Sequence, residues 1–239
     1  MSRSIPEPTG VSSAKLSIIS LLPNLLAVSL ILAAILFVSA GRLDWFQAWS
    51  FVLAFTGFLT FYGLWGMRND PGQLNERSRV GQNTKSWDKV ILTTYTLLLI
   101  GMLILAGLDA GRCHWAPAPP VLQGFGWTGA AFAGFLVWWT ATVNTFLSRT
   151  VRIQDERGQH VIDSGPYSRV RHPMYLAVII LMISISLLLG SLWASIPGAL
   201  IGVLYIIRTA LEDHTLQHEL PAYPEYTRRV HYRLLPWIW

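Results

Sequence analysis

Residues 174–207 read MYLAVIILMISISLLLGSLWASIPGALIGVLYII, without one charged side chain. As a single helix this stretch would be about 51 Å long at roughly 1.5 Å per residue, while the apolar layer of a bilayer is only about 30 Å thick. Gly190-Ser191 lies at its middle and Pro197 follows. The stretch therefore predicts two short helices folded back as a hairpin, each a little under a full span. Polar clusters flank it on both sides: Gly165-Pro166-Tyr167-Ser168-Arg169-Val170-Arg171-His172-Pro173 before, and Arg208, Glu212, Asp213 and His214 after. A hairpin brings these two distant clusters together at one membrane surface.

Composition points the same way. Hydrophobic residues make up 52% of the 239 and charged ones 13%, against about 25% charged in a soluble domain. This is the composition of an all-α, polytopic integral membrane bundle. The single Cys113 excludes an internal disulfide and a thiolate zinc cluster. A net charge of +5 suits topology-setting Lys and Arg better than a nucleic-acid footprint.

Four further segments are long enough to cross, at about Leu16–Ala40, Gln47–Met67, Val90–Leu108 and Leu122–Phe146, which makes six crossings with the hairpin. The expected organisation is a disordered tail over 1–15, a four-helix transmembrane region over 16–146, and a third region over 147–239 that holds the hairpin over 174–207 and both polar clusters. Of the 18 Lys and Arg residues, all but Arg42 and Arg112 then fall on one side. By the positive-inside rule both termini, both long loops and the polar clusters face the cytoplasm. The C-terminal stretch 220–239 mixes aromatic and aliphatic residues with Arg228, Arg229 and Arg233. It reads as an amphipathic segment at the headgroup level, able to close over a site.

Two constellations can carry chemistry. Arg171-His172 abut Pro173 at a helix start, where Pro is favoured and free N–H groups attract anions. They form a seat for a carboxylate or phosphate. Beyond the hairpin, the helix meets no breaker until Pro221, and one face carries Arg208, Glu212 and Glu219. Read plainly, that face is an i,i+4 ion pair of Arg208 with Glu212. His214 and His218 have a metal-ligand spacing but lack the Glu of a His-Glu-x-x-His site, so no metal is expected.

Together, Gly165-Pro166-Tyr167, Val170-Arg171-His172-Pro173-Met174-Tyr175, the apolar hairpin, Glu212-Asp213, and Tyr223, Glu225-Tyr226 and Pro236 resemble one superfamily. It is that of membrane-embedded isoprenylcysteine carboxyl methyltransferases and phospholipid methyltransferases. The resemblance covers about 144–239. It implies S-adenosylmethionine bound between the loop before the hairpin and the helix after it. By that analogy His172 and Tyr175 contact the cofactor, Arg171 lies close by, Glu212 holds its polar end, and Tyr167 and Tyr226 line the pocket. The chain departs from the pattern at Ala177, often Gly, at Asp213, often Glu, and at Leu220-Pro221-Ala222-Tyr223, where a Phe-Gly turn is common.

The residue chemistry is compatible with that implication. Methyl transfer from a sulfonium needs orientation rather than a metal or a covalent intermediate. Arg171 and His172 suit the carboxylate of a zwitterionic tail, Glu212 its ammonium, and Tyr faces attract a sulfonium. An amine or thiol acceptor also loses a proton, for which His172 or Glu212 could serve. Arg171, His172 and Glu212 are thus the expected catalytic set, with Glu212 mattering more than Asp213. Spans one to four hold few polar side chains, which suits a lipidic or small apolar acceptor entering from the bilayer. Nucleic acid and an obligate protein partner are not expected. Two other classes share parts of the pattern. A sterol-type reductase has a similar Arg-His-Pro-x-Tyr hairpin and binds NADPH, but usually has Asn where Met174 stands. A non-catalytic scaffold leaves the paired clusters unexplained.

Overall fold

The computed structural model describes residues 18–78 and 84–239. The tail over 1–15 and the start of the first span lie outside them. Among the described residues the chain is helical without strands: α1 (Ile18–Ala40), α2 (Phe46–Asn69), α3 (Pro71–Ser78), α4 (Ser86–Ala106), α5 (Pro120–Val143), α6 (Pro173–Leu188), α7 (Ser195–Glu219) and α8 (Tyr223–Arg229). A π-helical turn over Gly107–Cys113 prolongs α4. Five helices are long and apolar enough to cross a membrane, and α6 is a shorter apolar helix of 16 residues. The protein is a polytopic membrane helix bundle.

The hairpin forms where the sequence breaks. Pro173 occupies the first turn of α6, where its missing N–H costs nothing. At the far end Gly190 takes φ +87°, a left-handed conformation that a side chain would strain. The turn is sealed by the loop after the π-helical segment. Ala118 N–H donates to Gly190 O (2.8 Å), Leu192 N–H to Ala116 O (3.0 Å), and the Ser191 hydroxyl to Asp109 Oδ2 (2.6 Å). These bonds satisfy backbone groups that lipid could not.

α6 is apolar all round because neighbours cover it: α5 and α7 pack along it, with α4 behind α7. Gly126 of α5 lies so close to the α6 backbone at Ser184 and Leu188 that a Cβ would collide with it, the small-residue contact typical of membrane helices. The core collects Leu36, Met102, Leu188, Leu189 and Ile201, all fully buried.

One boundary departs from the sequence reading and another agrees with it. α5 stops at Val143 rather than Phe146, because the buried Gln73 donates to Ala141 O (3.0 Å) and Asn144 O (2.6 Å) and satisfies the carbonyls of its last turn. Gln73 stands on α3, a short helix that hydropathy could not reveal. The second helix of the hairpin does run on past the apolar stretch, to Glu219.

Candidate active site

All six residues proposed to bind a cofactor, Tyr167, Arg171, His172, Tyr175, Glu212 and Tyr226, line one cavity of about 120 Å³. Its walls come from the loop after α5, the start of α6, the end of α7 and α8.

Asp213 organises this end of the molecule. It is completely buried, and Arg171 grips it with both prongs, Nε to Oδ1 at 2.8 Å and Nη2 to Oδ2 at 2.9 Å. Arg233 Nε (2.9 Å) and Gln217 Nε2 (2.9 Å) donate to Oδ2, and the Tyr223 hydroxyl (3.0 Å) to Oδ1. His172 Nε2 stands 3.4 Å from Oδ1. The carboxylate therefore ties the pre-hairpin motif, α7, α8 and the C-terminal segment together. The backbone repeats the link, since Arg171 and His172 N–H groups donate to Tyr232 O and Arg233 O, each at 2.9 Å.

This arrangement changes the reading of Arg171. Its Nη1 donates to Val230 O (2.9 Å) and His231 O (3.0 Å), and with the two bonds to Asp213 these engage all but one of the five guanidinium N–H groups. The bidentate seat expected for a cofactor carboxylate holds the Asp213 carboxylate instead. Asp213, expected to matter less than Glu212, is the residue with more partners. The sequence offered no sign of this, because Arg233 and Gln217 belong to no motif.

Glu212 plays a separate part. It is half-buried, lines the cavity, and accepts a hydrogen bond from the Tyr175 hydroxyl. The Tyr175 ring stacks on His172 with centroids 5.6 Å apart and 10° between planes. No ion pair joins Arg208 to Glu212. Arg208 turns instead to Asp88 in the first turn of α4, with Nε to Oδ1 at 2.8 Å and Nη2 to Oδ2 at 3.2 Å. Its guanidinium lies 4.9 Å from the Tyr175 ring centroid. Glu219, on the same face, pairs with Lys85 at 2.6 Å. Asp88 was missed in the sequence. The signal was there: a carboxylate at the head of an apolar span needs a partner, and Arg208 is the cation where another span loses its apolar character.

The tyrosines around the cavity are neutral donors. Tyr226 is 1% exposed and donates to Tyr167 O (2.7 Å), while Tyr167 accepts at its hydroxyl from Asn144 (2.7 Å). Burial pushes Tyr167 and Tyr226 well above the usual phenol range. Burial and then the adjacent Asp213 charge do the same to Tyr223. Among the described residues that line the cavity, the buried Thr150 hydroxyl has no hydrogen-bond partner. The rings of His214 and His218 lie with centroids 4.2 Å apart, tilted by 31°. Among the described residues no group of three or more potential metal ligands gathers.

Residues 125–221 match the model of the family described as phospholipid methyltransferase, in agreement with the resemblance carried by the motifs. The matched segment runs from α5 to the end of α7, so it contains the hairpin, Arg171, His172, Glu212 and Asp213. Tyr223, Tyr226 and Arg233 lie beyond it. The general class this supports is a membrane methyltransferase. The chain is also 26% identical over 130 residues to the nickel-cobalt-cadmium resistance protein NccN of Alcaligenes xylosoxydans xylosoxydans. That alignment takes in 53% of this chain, which spans only 57% of that relative's length.

Proposed function

We propose that the protein is an S-adenosylmethionine-dependent methyltransferase acting at the membrane face on a lipidic or small apolar acceptor. The observation that carries the reading is convergence: residues as far apart as Tyr167 and Tyr226 line one cavity at the mouth of a hairpin set among membrane-crossing helices.

The residues present suit the methyl donor. Glu212 supplies a carboxylate for its ammonium, and the unpaired Thr150 hydroxyl and His172 supply polar contacts. Tyr167, Tyr226 and Phe146 give aromatic walls. Arg171 acts through Asp213, fixing the loop that carries His172, with one N–H left over. The donor, when bound, supplies an electrophilic methyl group on a positively charged sulfur. The chain contributes orientation and partial exclusion of water. For an amine or thiol acceptor, Glu212 or His172 takes the proton; a carboxylate acceptor needs none removed.

An apolar groove of about 450 Å³ between α2 and α5, floored by Leu181 and Leu188 of α6 and walled by Phe51, Phe58, Phe61 and Trp138, supports an apolar acceptor. Tyr62 lies one turn beyond Phe58, with ring centroids 6.2 Å apart. Through Gln73 and Asn144 it is hydrogen-bonded onward to Tyr167 at the cavity. A chain of hydrogen bonds thus links the end of the groove to the cavity along one side of the bundle.

The Lys and Arg partition supports six crossings with both termini and the cavity in the cytoplasm. Single-cysteine variants at position 5 and at the exposed position 228, in a chain lacking Cys113, should react with an impermeant reagent only in opened cells. Activity is tested by incubating the purified protein with methyl-labelled S-adenosylmethionine and total lipid extract, then analysing products by mass. A labelled product that Glu212→Gln fails to make supports the reading. Its absence across lipid and thiol acceptors, with the donor bound by neither protein, rejects it.

A further inference from the structure

Asp88 touches neither the cavity nor any motif, yet its environment is not that of a passive core residue. It is fully buried, holds Arg208 with both oxygens, and accepts the Val151 N–H at 2.8 Å through Oδ2. Arg208 Nη2 also donates to Arg149 O at 2.9 Å. Asp88 and Arg208 thus pin the segment 149–151, whose Thr150 and Val151 form one wall of the cavity. On its other side the Arg208 guanidinium lies against Tyr175, whose hydroxyl binds Glu212.

The charges decide what this pair does. Arg171, Arg208 and Arg233 stand around Asp213, Asp88 and Glu212, so cations and anions balance. Among the described residues, the other arginine that lines the cavity beside Arg171 is Arg152, with its own carboxylates in Glu76 (2.6 Å) and Glu156 (2.7 Å). Without Asp88, one buried guanidinium beside Tyr175 is uncompensated. Buried charge acts strongly over short range because little water screens it.

We propose that Asp88 is a positioning and charge-balancing residue: it holds Arg208 behind Tyr175 and cancels its charge, so that the cavity admits a cationic methyl donor in preference to the neutral thioether product. The inference rests on the assignment of a sulfonium donor to this cavity. A purely structural pair would influence both ligands alike. A charge-balancing pair distinguishes them, because S-adenosylmethionine carries a positive charge at sulfur that S-adenosylhomocysteine lacks.

The test is equilibrium binding of these two ligands to detergent-solubilised parent, Asp88→Asn, Arg208→Gln and the double variant. Size-exclusion profiles and thermal unfolding report folding separately. Asp88→Asn should lower the affinity ratio of sulfonium to thioether roughly tenfold, the scale of one buried charge acting on another. Arg208→Gln leaves Asp88 unpaired and should shift the ratio the opposite way. The double variant should return it to within about threefold of the parent, since neither charge then remains. If Asp88→Asn does not fold, the direction of the Arg208→Gln shift still decides. Equal losses for both ligands, or shifts of the same sign in the two single variants, overturn the charge-balancing role while leaving the donor assignment intact. Failure of the parent to bind either ligand overturns both.

Discussion

Asp109 and Asp213 are equally inaccessible, each with no exposed surface, and they mark opposite ends of the central hairpin. At the turn, Asp109 accepts from the Ser191 hydroxyl (2.6 Å) and the Ala116 N–H (2.8 Å), and among the described residues it has no ion-pair partner. At the mouth, Asp213 receives two arginines, a glutamine and a tyrosine, with His172 alongside. One carboxylate closes a loop with neutral donors. The other gathers side chains from four stretches of chain, two of them arginines. Burial alone does not mark a site; convergence of separate segments on one group does.

Substitution should separate the two ends most sharply at the aspartates themselves. Asp213→Asn leaves Arg171 and Arg233 without their counter-charge, and breaking a buried charged network in this way costs about 3–5 kcal/mol. Asp109→Asn keeps one acceptor oxygen and should cost about 1–2 kcal/mol. Thermal unfolding in detergent should rank them in that order by a wide margin. Equal losses would remove the distinction between the two ends.

Within the mouth, Glu212 should behave unlike its neighbour. Glu212→Gln keeps an acceptor for Tyr175, so the variant should unfold near the parent's temperature. Its binding of S-adenosylmethionine should fall by roughly 10- to 150-fold, the loss of a charged hydrogen-bond partner worth about 1.5–3 kcal/mol. Glu212 would then be the ligand contact and Asp213 the framework. Similar unfolding losses in Glu212→Gln and Asp213→Asn would merge the two roles.

A smaller effect follows from the tyrosines. Tyr167, Tyr223 and Tyr226 have folded-state values raised above the ordinary phenol value of 10.0, first of all by burial. Above that value the unfolded chain loses phenol protons that the folded state keeps, so stability present below about pH 10 declines as pH rises further. Tyr223→Phe should flatten that decline and cost about 1 kcal/mol at neutral pH through the lost bond to Asp213. Unfolding followed from pH 8 to pH 11 checks both. A stability loss of the same size, about 1 kcal/mol, is expected at the turn for Ser191→Ala, with donor binding unchanged.

The two ends also differ in how far the sequence announced them. The hairpin, its break at Gly190 and the helix start at Pro173 are local properties, written in hydropathy and in the backbone limits of Gly and Pro. That Tyr167, Arg171, His172 and Tyr175 meet Glu212 was legible because their clusters flank the hairpin and its closure brings them together, whereas Tyr226 on α8 was reached only through the family resemblance. The hub was not. Arg233 reaches Asp213 only because the C-terminal segment folds back on the motif through Tyr232 O and Arg233 O, a non-local event without a periodic signature. The pairing of Arg208 was misread for a related reason: i,i+4 spacing offers Glu212, while the tertiary fold offers a fully buried carboxylate on α4. Asp109 has Arg112 three residues on, yet its partners are the Ser191 hydroxyl and the Ala116 N–H, contacts that only the folded turn brings together.

The most direct test of the account is calorimetric titration of S-adenosylmethionine into the detergent-solubilised parent and Glu212→Gln, with NADPH titrated into the parent as the contrasting ligand. Saturable binding of S-adenosylmethionine by the parent, strong weakening in Glu212→Gln and no heat from NADPH is the result predicted. Binding of NADPH without S-adenosylmethionine, or equal S-adenosylmethionine affinity in the parent and Glu212→Gln, would contradict it.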